Sequence, residues 1–193
     1  GKNITSKLGD IMNELIVLEN KKDKLRKLII YFFIYSCLGW ILEIIYAFLL
    51  KGKFVNRGFL TGPLCPIYGF GAVILILLLG KSKGKPGKEF LLASIAFTIF
   101  EYMVSYILEA IFGLRWWDYS GDFLNLQGRV SLAYSFIWGA MGIILIEIIH
   151  PYISNMLQKL EKSINKSLQK VIIYFLIILF IIDAITSSIK YLK

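Results

Sequence analysis

The chain is 193 residues long, 57% hydrophobic and 18% charged, with a net charge of +9. So apolar a composition excludes a soluble domain with a polar surface. In a soluble protein the basic excess would point to nucleic acid; here the lysines sit in short loops between apolar runs, where membrane topology accounts for them, and no nucleic-acid partner is expected.

Five runs are apolar and long enough to cross about 30 Å of hydrocarbon: Leu28–Leu50, Leu60–Gly80, Phe90–Phe112, Val130–Ile149 and Val171–Ile189. The fold class is therefore all-α, a polytopic membrane helical bundle of about five transmembrane helices with amphipathic cytoplasmic helices added. Residues 1–27 read as an amphipathic cytoplasmic N-terminal helix, and 28–193 as a single transmembrane helical domain with an amphipathic connector at 153–170. In the first stretch Ile4, Leu8, Ile11, Leu15 and Leu18 recur every three or four residues and share one helix face. Such a helix lies on the membrane or against a partner helix. Leu15 and Leu160 are expected on buried faces of the two amphipathic helices.

The first run carries Ser36, Gly39, Trp40 and Glu43. A carboxylate at this depth costs at least about 2.5–3.5 kcal/mol on insertion scales, so Glu43 should face protein or water, as a structural hydrogen-bonded acid or as a functional one. The loop from Lys51 runs into the second apolar run through Gly58, Gly62, Pro63, Pro66, Gly69 and Gly71. Its start is irregular, and non-helical backbone at membrane depth survives only where protein or a wet cavity covers it. The helix could start as late as Pro66 and be too short to span. No G-x-x-x-x-G-K-[ST] phosphate loop occurs, and no cofactor is expected.

The third run holds Glu101, Ser105 and Glu109 at i, i+4 and i+8, stacked along one helix flank. Two acids so placed suit a proton relay or two helix–helix hydrogen bonds. Arg115–Arg129, RWWDYSGDFLNLQGR, follows, the most mixed polar stretch between apolar segments. Trp116 and Trp117 fit an interfacial aromatic belt, and Asp118–Asp122 reads as a turn. Arg115 and Arg129 bracket the loop, positioned to snorkel or to bind an anion. In the fourth run Ser131, Ser135, Gly139 and Gly142 form a small-residue face for close helix approach. Glu147 and His150 fall at the other membrane face, where solvated charge is ordinary. Cys37 and Cys65 differ in depth by about 10 Å, beyond disulfide reach. No metal-ligand spacing is present, and His150 has no partner in sequence.

With a cytoplasmic amino terminus, 15 basic residues lie inside and 7 outside, which favours that orientation. Both polar loops, 51–65 and 113–129, then share the outer face. The candidate binding residues are Glu43, Arg57, Glu101, Glu109, Arg115, Asp118, Tyr119, Asn125 and Arg129. Glu43 or Glu109 is expected to pair with a loop arginine in a pocket lined by Trp40, Tyr68 and Tyr119, floored by Glu101 and Ser105.

Several motifs recur here in one order: Leu38-Gly39-Trp40 with Glu43; Asn56-Arg57-Gly58-Phe59 with Gly62-Pro63 and Cys65-Pro66-Ile67-Tyr68-Gly69; Glu101 and Glu109; Arg115-Trp116-Trp117-Asp118-Tyr119-Ser120; Asn125 with Gly128; Ser135 with Trp138-Gly139. On these the chain, from about Tyr31 to Pro151, resembles the ABC-transporter type IV (CmpB-like) family of small bacterial membrane proteins. The family often has Cys at the position of Ser131. The resemblance implies a transport-related, permease-like component of the bacterial cytoplasmic membrane. Without a nucleotide motif, the partners would be the lipid bilayer and a separate ATPase or other membrane subunit, with homo-oligomers open. Two other readings fit the residues: an accessory or sensory membrane subunit, and an intramembrane enzyme acting on a lipid-linked substrate with Glu43 or Glu109 as base.

Overall fold

The structure is a computed structural model that describes the backbone of residues 2–54 and 58–192, and the side chains of 16–50, 52–54 and 58–192. Helix α1 is Lys2–Lys51, α2 Pro66–Leu79 and α3 Pro86–Phe112. A two-residue antiparallel ribbon, β1 Asn125–Leu126 and β2 Val130–Ser131, leads into α4, Leu132–Ile144. A π-helical turn at Leu145–Ile149 joins α4 to α5, His150–Ser163, and α6 is Lys166–Leu192. Among the described residues, four helices are long and apolar enough to cross a membrane: Ile16–Leu50, Pro86–Phe112, Leu132–Ser163 and Lys166–Leu192. The chain is a helical membrane protein.

Local chemistry sets the boundaries. Gly52 ends α1 at φ 63°, with its N–H on the Phe48 carbonyl, and Gly113 ends α3 at φ 66° in the same left-handed cap. Pro66 and Pro86 open α2 and α3, where a missing N–H costs nothing. Pro151 has no N–H to give to Glu147, and its ring crowds that carbonyl, so the helix widens into the π turn just before it.

The amphipathic stretch 4–27 and the first apolar run form one continuous helix. At 1.5 Å per residue α1 is about 75 Å long and reaches well past a bilayer. The second amphipathic stretch is divided: α5 continues α4, and the chain reverses at Ile164 and Asn165 into α6. The two stretches meet where Arg26 pairs with Glu161 at 3.2 Å and hydrogen-bonds the Gln169 side chain. Leu157 is buried there, whereas Leu160, expected on that face, is 53% exposed. The face of α5 turned to α1 runs through Ser154, Leu157 and Glu161 instead. Leu15 lies outside the described side chains.

Apolar run two is the departure from five equal spans. Helix α2 has 14 residues, about 21 Å, short of a 30 Å core. It starts deep: the Cys65 N–H bonds the Ser36 carbonyl in the middle of α1. A Cβ on Gly69 would stand 2.6 Å from the Phe32 carbonyl oxygen, so only glycine permits this approach of α2 to α1. In the irregular segment above α2 the N–H groups of Thr61, Gly62, Leu64 and Cys65 are bonded to protein. Asp183 of α6 accepts from Thr61 N at 3.0 Å, from Gly62 N at 2.8 Å and from the Ser187 hydroxyl at 3.0 Å. Leu60 of this segment is 2% exposed.

Helices α3 and α4 pack through the small-residue face: Gly139 abuts Phe90 and Ser94, Gly142 abuts Ala93, and Thr98 donates to Ser135 at 2.7 Å. The apolar core lies between α1, α2, α3 and the π turn, around Tyr35, Ala72, Leu79, Phe97 and Ile146. Helix α6 is the most peripheral, meeting α1 through Phe180 on Phe32 and Phe33. Glu147 and His150 are not simply solvated. Gly84 N donates to Glu147 at 2.6 Å, and His150 Nδ1 lies 3.0 Å from the Tyr35 hydroxyl. Both cysteines are free.

Replacing Asp183 by Ala leaves two backbone N–H groups without their acceptor, each worth about 1–3 kcal/mol where water cannot substitute. The expected result is a lower thermal midpoint in detergent and faster maleimide labelling of Cys65, which is 8% exposed in the intact fold.

Candidate functional site

The site lies on the face formed by residues 58–65, the loop 113–131 and the end of α6. Phe59, Phe112, Trp116 and Tyr191 build an aromatic cluster there, with ring centroids 5.1–6.3 Å apart. It ties the loop segments to the ends of α3 and α6 at the level of an aromatic belt.

The 113–131 loop is built by its own polar groups. Asn125 donates to the Ser120 and Asp122 carbonyls and accepts from Gly128 N. Asp118 accepts from the Ser120 amide at 2.9 Å and from its hydroxyl at 2.5 Å. Those bonds, with Arg115 close by, hold the Asp118 carboxyl below the usual carboxylate range. Gln127 at φ 56° and Gly128 at φ 68° make the tight turn between the strands, closed by Arg129 N on the Leu126 carbonyl. Positive φ at both central residues marks a type I′ turn. A Cβ on Gly128 would collide with Asp118 and Ser120. Asp118 and Asn125, expected as binding residues, thus shape the loop from within.

Glu109, at the end of α3, holds two arginines. Arg115 Nε reaches it at 2.9 Å, and Arg129 Nη2 pairs with its other oxygen. Arg129 is 7% exposed; it also donates to Ser105 Oγ at 3.2 Å and lies over the rings of Tyr102 and Tyr106, at 5.8 and 5.4 Å. The Trp117 indole caps its carbonyl at 2.9 Å. The loop is thereby bolted to α3 by a paired, largely desolvated guanidinium.

One level deeper, Glu101 is 3% exposed. It accepts from the Tyr119 hydroxyl and the Trp138 indole, each at 2.9 Å. Neither donor carries charge, since burial and then the charge of Glu101 push the Tyr119 phenol well above its ordinary value. The Tyr119 ring stacks on Tyr134 of α4, with centroids at 4.2 Å. Glu43 of α1 accepts from the Tyr68 hydroxyl at 2.8 Å, and Tyr68 meets Trp138 edge-on at 6.3 Å.

The structure therefore joins Glu109 to both Arg115 and Arg129, sets Glu101 with Tyr119 one level deeper, and places Glu43 with Tyr68 against Trp138. Glu101 and Ser105 do not share a floor: Ser105 turns to Arg129, and Glu101 to Tyr119 and Trp138. The Trp40 indole nitrogen is buried with no hydrogen-bond partner among the described residues. Arg57 lies outside the described residues. Sequence reading missed Trp138 and Tyr134 as site residues. The available signal was the indole N–H of Trp138 in an apolar run, which must find an acceptor when buried.

The partners in this cluster differ in cost of removal. Replacing Arg115 by Gln removes a partly exposed ion pair and costs little. Replacing Glu109 by Gln strands the buried Arg129 charge and costs markedly more. Denaturation in detergent should rank them so, and adding Arg129→Met to Glu109→Gln should recover much of the loss.

Searches of curated proteins and of solved structures gave no match to the chain. The family model described as "Putative ABC-transporter type IV" matches residues 30–188. The chain, matched over most of its length, belongs to this family.

Proposed function

We propose that the protein is the transport-related membrane component of a system whose substrate binds in the zone around Glu101. The observation that carries this reading is Glu101 itself, an acid within a membrane-length helix held by two neutral donors, one from a loop and one from α4. An intramembrane acid is costly to keep and is a functional feature by default. Held this way, its charge can change with a bound cation or proton without breaking an ion pair. The short α2 with its irregular entry adds the broken-helix geometry on which substrate sites of transporters are built. The family's name supports the same reading. Since the sequence encodes no nucleotide loop, energy from ATP would come from a separate subunit.

The test is purification in mild detergent from the native membrane, followed by reconstitution. An ATPase chain should accompany the protein, and its activity in liposomes should depend on it. Glu101→Gln should insert and assemble normally yet lose that stimulation. Full stimulation by Glu101→Gln, or stable isolation with no ATPase subunit, would overturn the reading and leave the accessory-subunit one.

The loop face is assigned to the outside and the amino terminus to the cytoplasm in the bacterial cytoplasmic membrane, on the balance of basic residues. Gly121 and Gly87 have open space around a new Cβ and lie at opposite faces. In a chain lacking Cys37 and Cys65, Gly121→Cys should react with an impermeant maleimide on intact cells. Gly87→Cys should react only after permeabilisation. The reverse pattern would invert the orientation.

A further inference from the structure

Where α1, α5 and α6 meet, at the membrane face opposite the loops, polar side chains enclose an open cleft of about 230 Å³. It is lined by Arg26, Gln158, Glu161, Lys162, Lys166 and Gln169. Gln169 builds it. That residue is 7% exposed; it donates to the carbonyls of Glu161 and Ile164 at 2.9 and 2.8 Å and accepts from Arg26. The reversal from α5 into α6 is thereby fixed against α1, and lysines of both helices stand on one scaffold. The charges do not cancel. Glu161, the acid of the lining, is met by Arg26 at 3.2 Å and by Lys27 at 4.0 Å, and Arg26 also meets Asp23 at 3.4 Å. Lys162 and Lys166 are exposed and make no ion pair among the described residues. They leave the cleft with uncompensated positive charge.

The depth of the cleft says what meets it. Arg26 lies just before the first apolar run, which begins at Leu28, and Gln169 just before the last, which begins at Val171. The cleft therefore sits where hydrocarbon gives way to head groups. From this placement we infer that it binds the phosphate of an anionic phospholipid drawn from the bilayer surface beside it. A volume of 230 Å³ is room for roughly seven waters, and so for a phosphate group. Basic pockets between membrane helices take anionic head groups in this manner. A zwitterionic head group brings its own cation, which the two lysines repel. Lysines near a membrane face set topology wherever they lie; these two are gathered around one built cleft. The inference concerns the end of the bundle away from Glu101. It holds equally for a transporter component or an accessory subunit, and for either orientation in the membrane.

The test is native mass spectrometry of the full chain in a neutral detergent, with phosphatidylglycerol or phosphatidylcholine added at equal concentration and thermal midpoints read alongside. Phosphatidylglycerol is expected to give the more populated adduct and to raise the midpoint. Lys162→Gln and Lys166→Gln should each lower its affinity about fivefold and leave phosphatidylcholine binding unchanged. Both residues are exposed, so folding is expected to be retained, which the midpoint in phosphatidylcholine checks. Lys159→Gln and Lys170→Gln remove the same charge from the same helices outside the lining, and should leave the affinity for phosphatidylglycerol nearly unchanged. A third arm adds inorganic phosphate alone. A midpoint raised as far by inorganic phosphate as by the lipid would assign the cleft to a free anion and overturn the head-group assignment. Equal adducts from the two lipids, or equal losses in the two pairs of variants, would overturn the proposal, since charge at this face would then act without the cleft.

Discussion

The fold depends on how the irregular backbone between α1 and α2 is satisfied. A chain that dips towards the middle of a bilayer without helical hydrogen bonds needs acceptors from protein. Here Asp183 supplies two through one carboxylate, and the Ser36 carbonyl supplies a third at the start of α2. This explains why a carboxylate is retained near the end of the otherwise apolar α6. It also explains why α6, peripheral along most of its length, is anchored at this level. Because the dip delivers α2 at the depth of Ser36, Tyr68 falls beside Gly39 and within reach of Glu43. The acid zone is thus a consequence of where the irregular segment lets α2 begin.

Helix α3 is the axis on which the polar groups are ordered. Glu101, Ser105 and Glu109 sit one turn apart on one flank, and the loop meets each differently. Arg129 spans Ser105 and Glu109, while Tyr119 reaches past them to Glu101. For one loop to touch both levels, its register must be fixed. The I′ turn at Gln127–Gly128 and the bonds of Asn125 and Asp118 fix it. The rigid loop and the buried acid are therefore one construction, in which a change at the loop is felt at mid-helix.

The sequence made much of this readable, for reasons of period and cost. Membrane length, the acid flank of α3 and the small-residue face of α4 follow from spacing alone, and the structure uses them as spacing implies. The glycines and prolines of 58–71 correctly signalled an irregular entry and a helix starting at Pro66. What spacing does not carry is pairing between elements. Which acid takes the arginines, the union of Trp138 with Glu101 and the Tyr35–His150 contact are set by helix rotations, and a linear pattern is silent on those. Leu160 was misplaced for a related reason: three- and four-residue steps leave neighbouring stripes of α5 open, and the contacts with α1 select the one through Ser154, Leu157 and Glu161. Asp118 and Asn125, expected in the site, hold the turn through their own hydrogen bonds, a common use of such residues in loops.

The contrast between Glu109 and Glu101 bears most on function. Glu109 is saturated by two guanidiniums, and its charge is locked by the surrounding ion pairs. Glu101 is saturated in hydrogen bonds but not neutralised by them, because a phenol and an indole bring donors without charge. In a low-dielectric interior an uncompensated carboxylate is expensive, so the energy of Glu101 changes more than that of Glu109 when a cation or a proton arrives. Its two donors come from the 113–131 loop and from α4. A change of charge at Glu101 therefore alters the strength of the bonds holding the loop down and α4 in place. The site responds to charge where its bonds are neutral and is held rigid where they are ionic. That ordering puts the responsive acid inside and the fixed one at the rim.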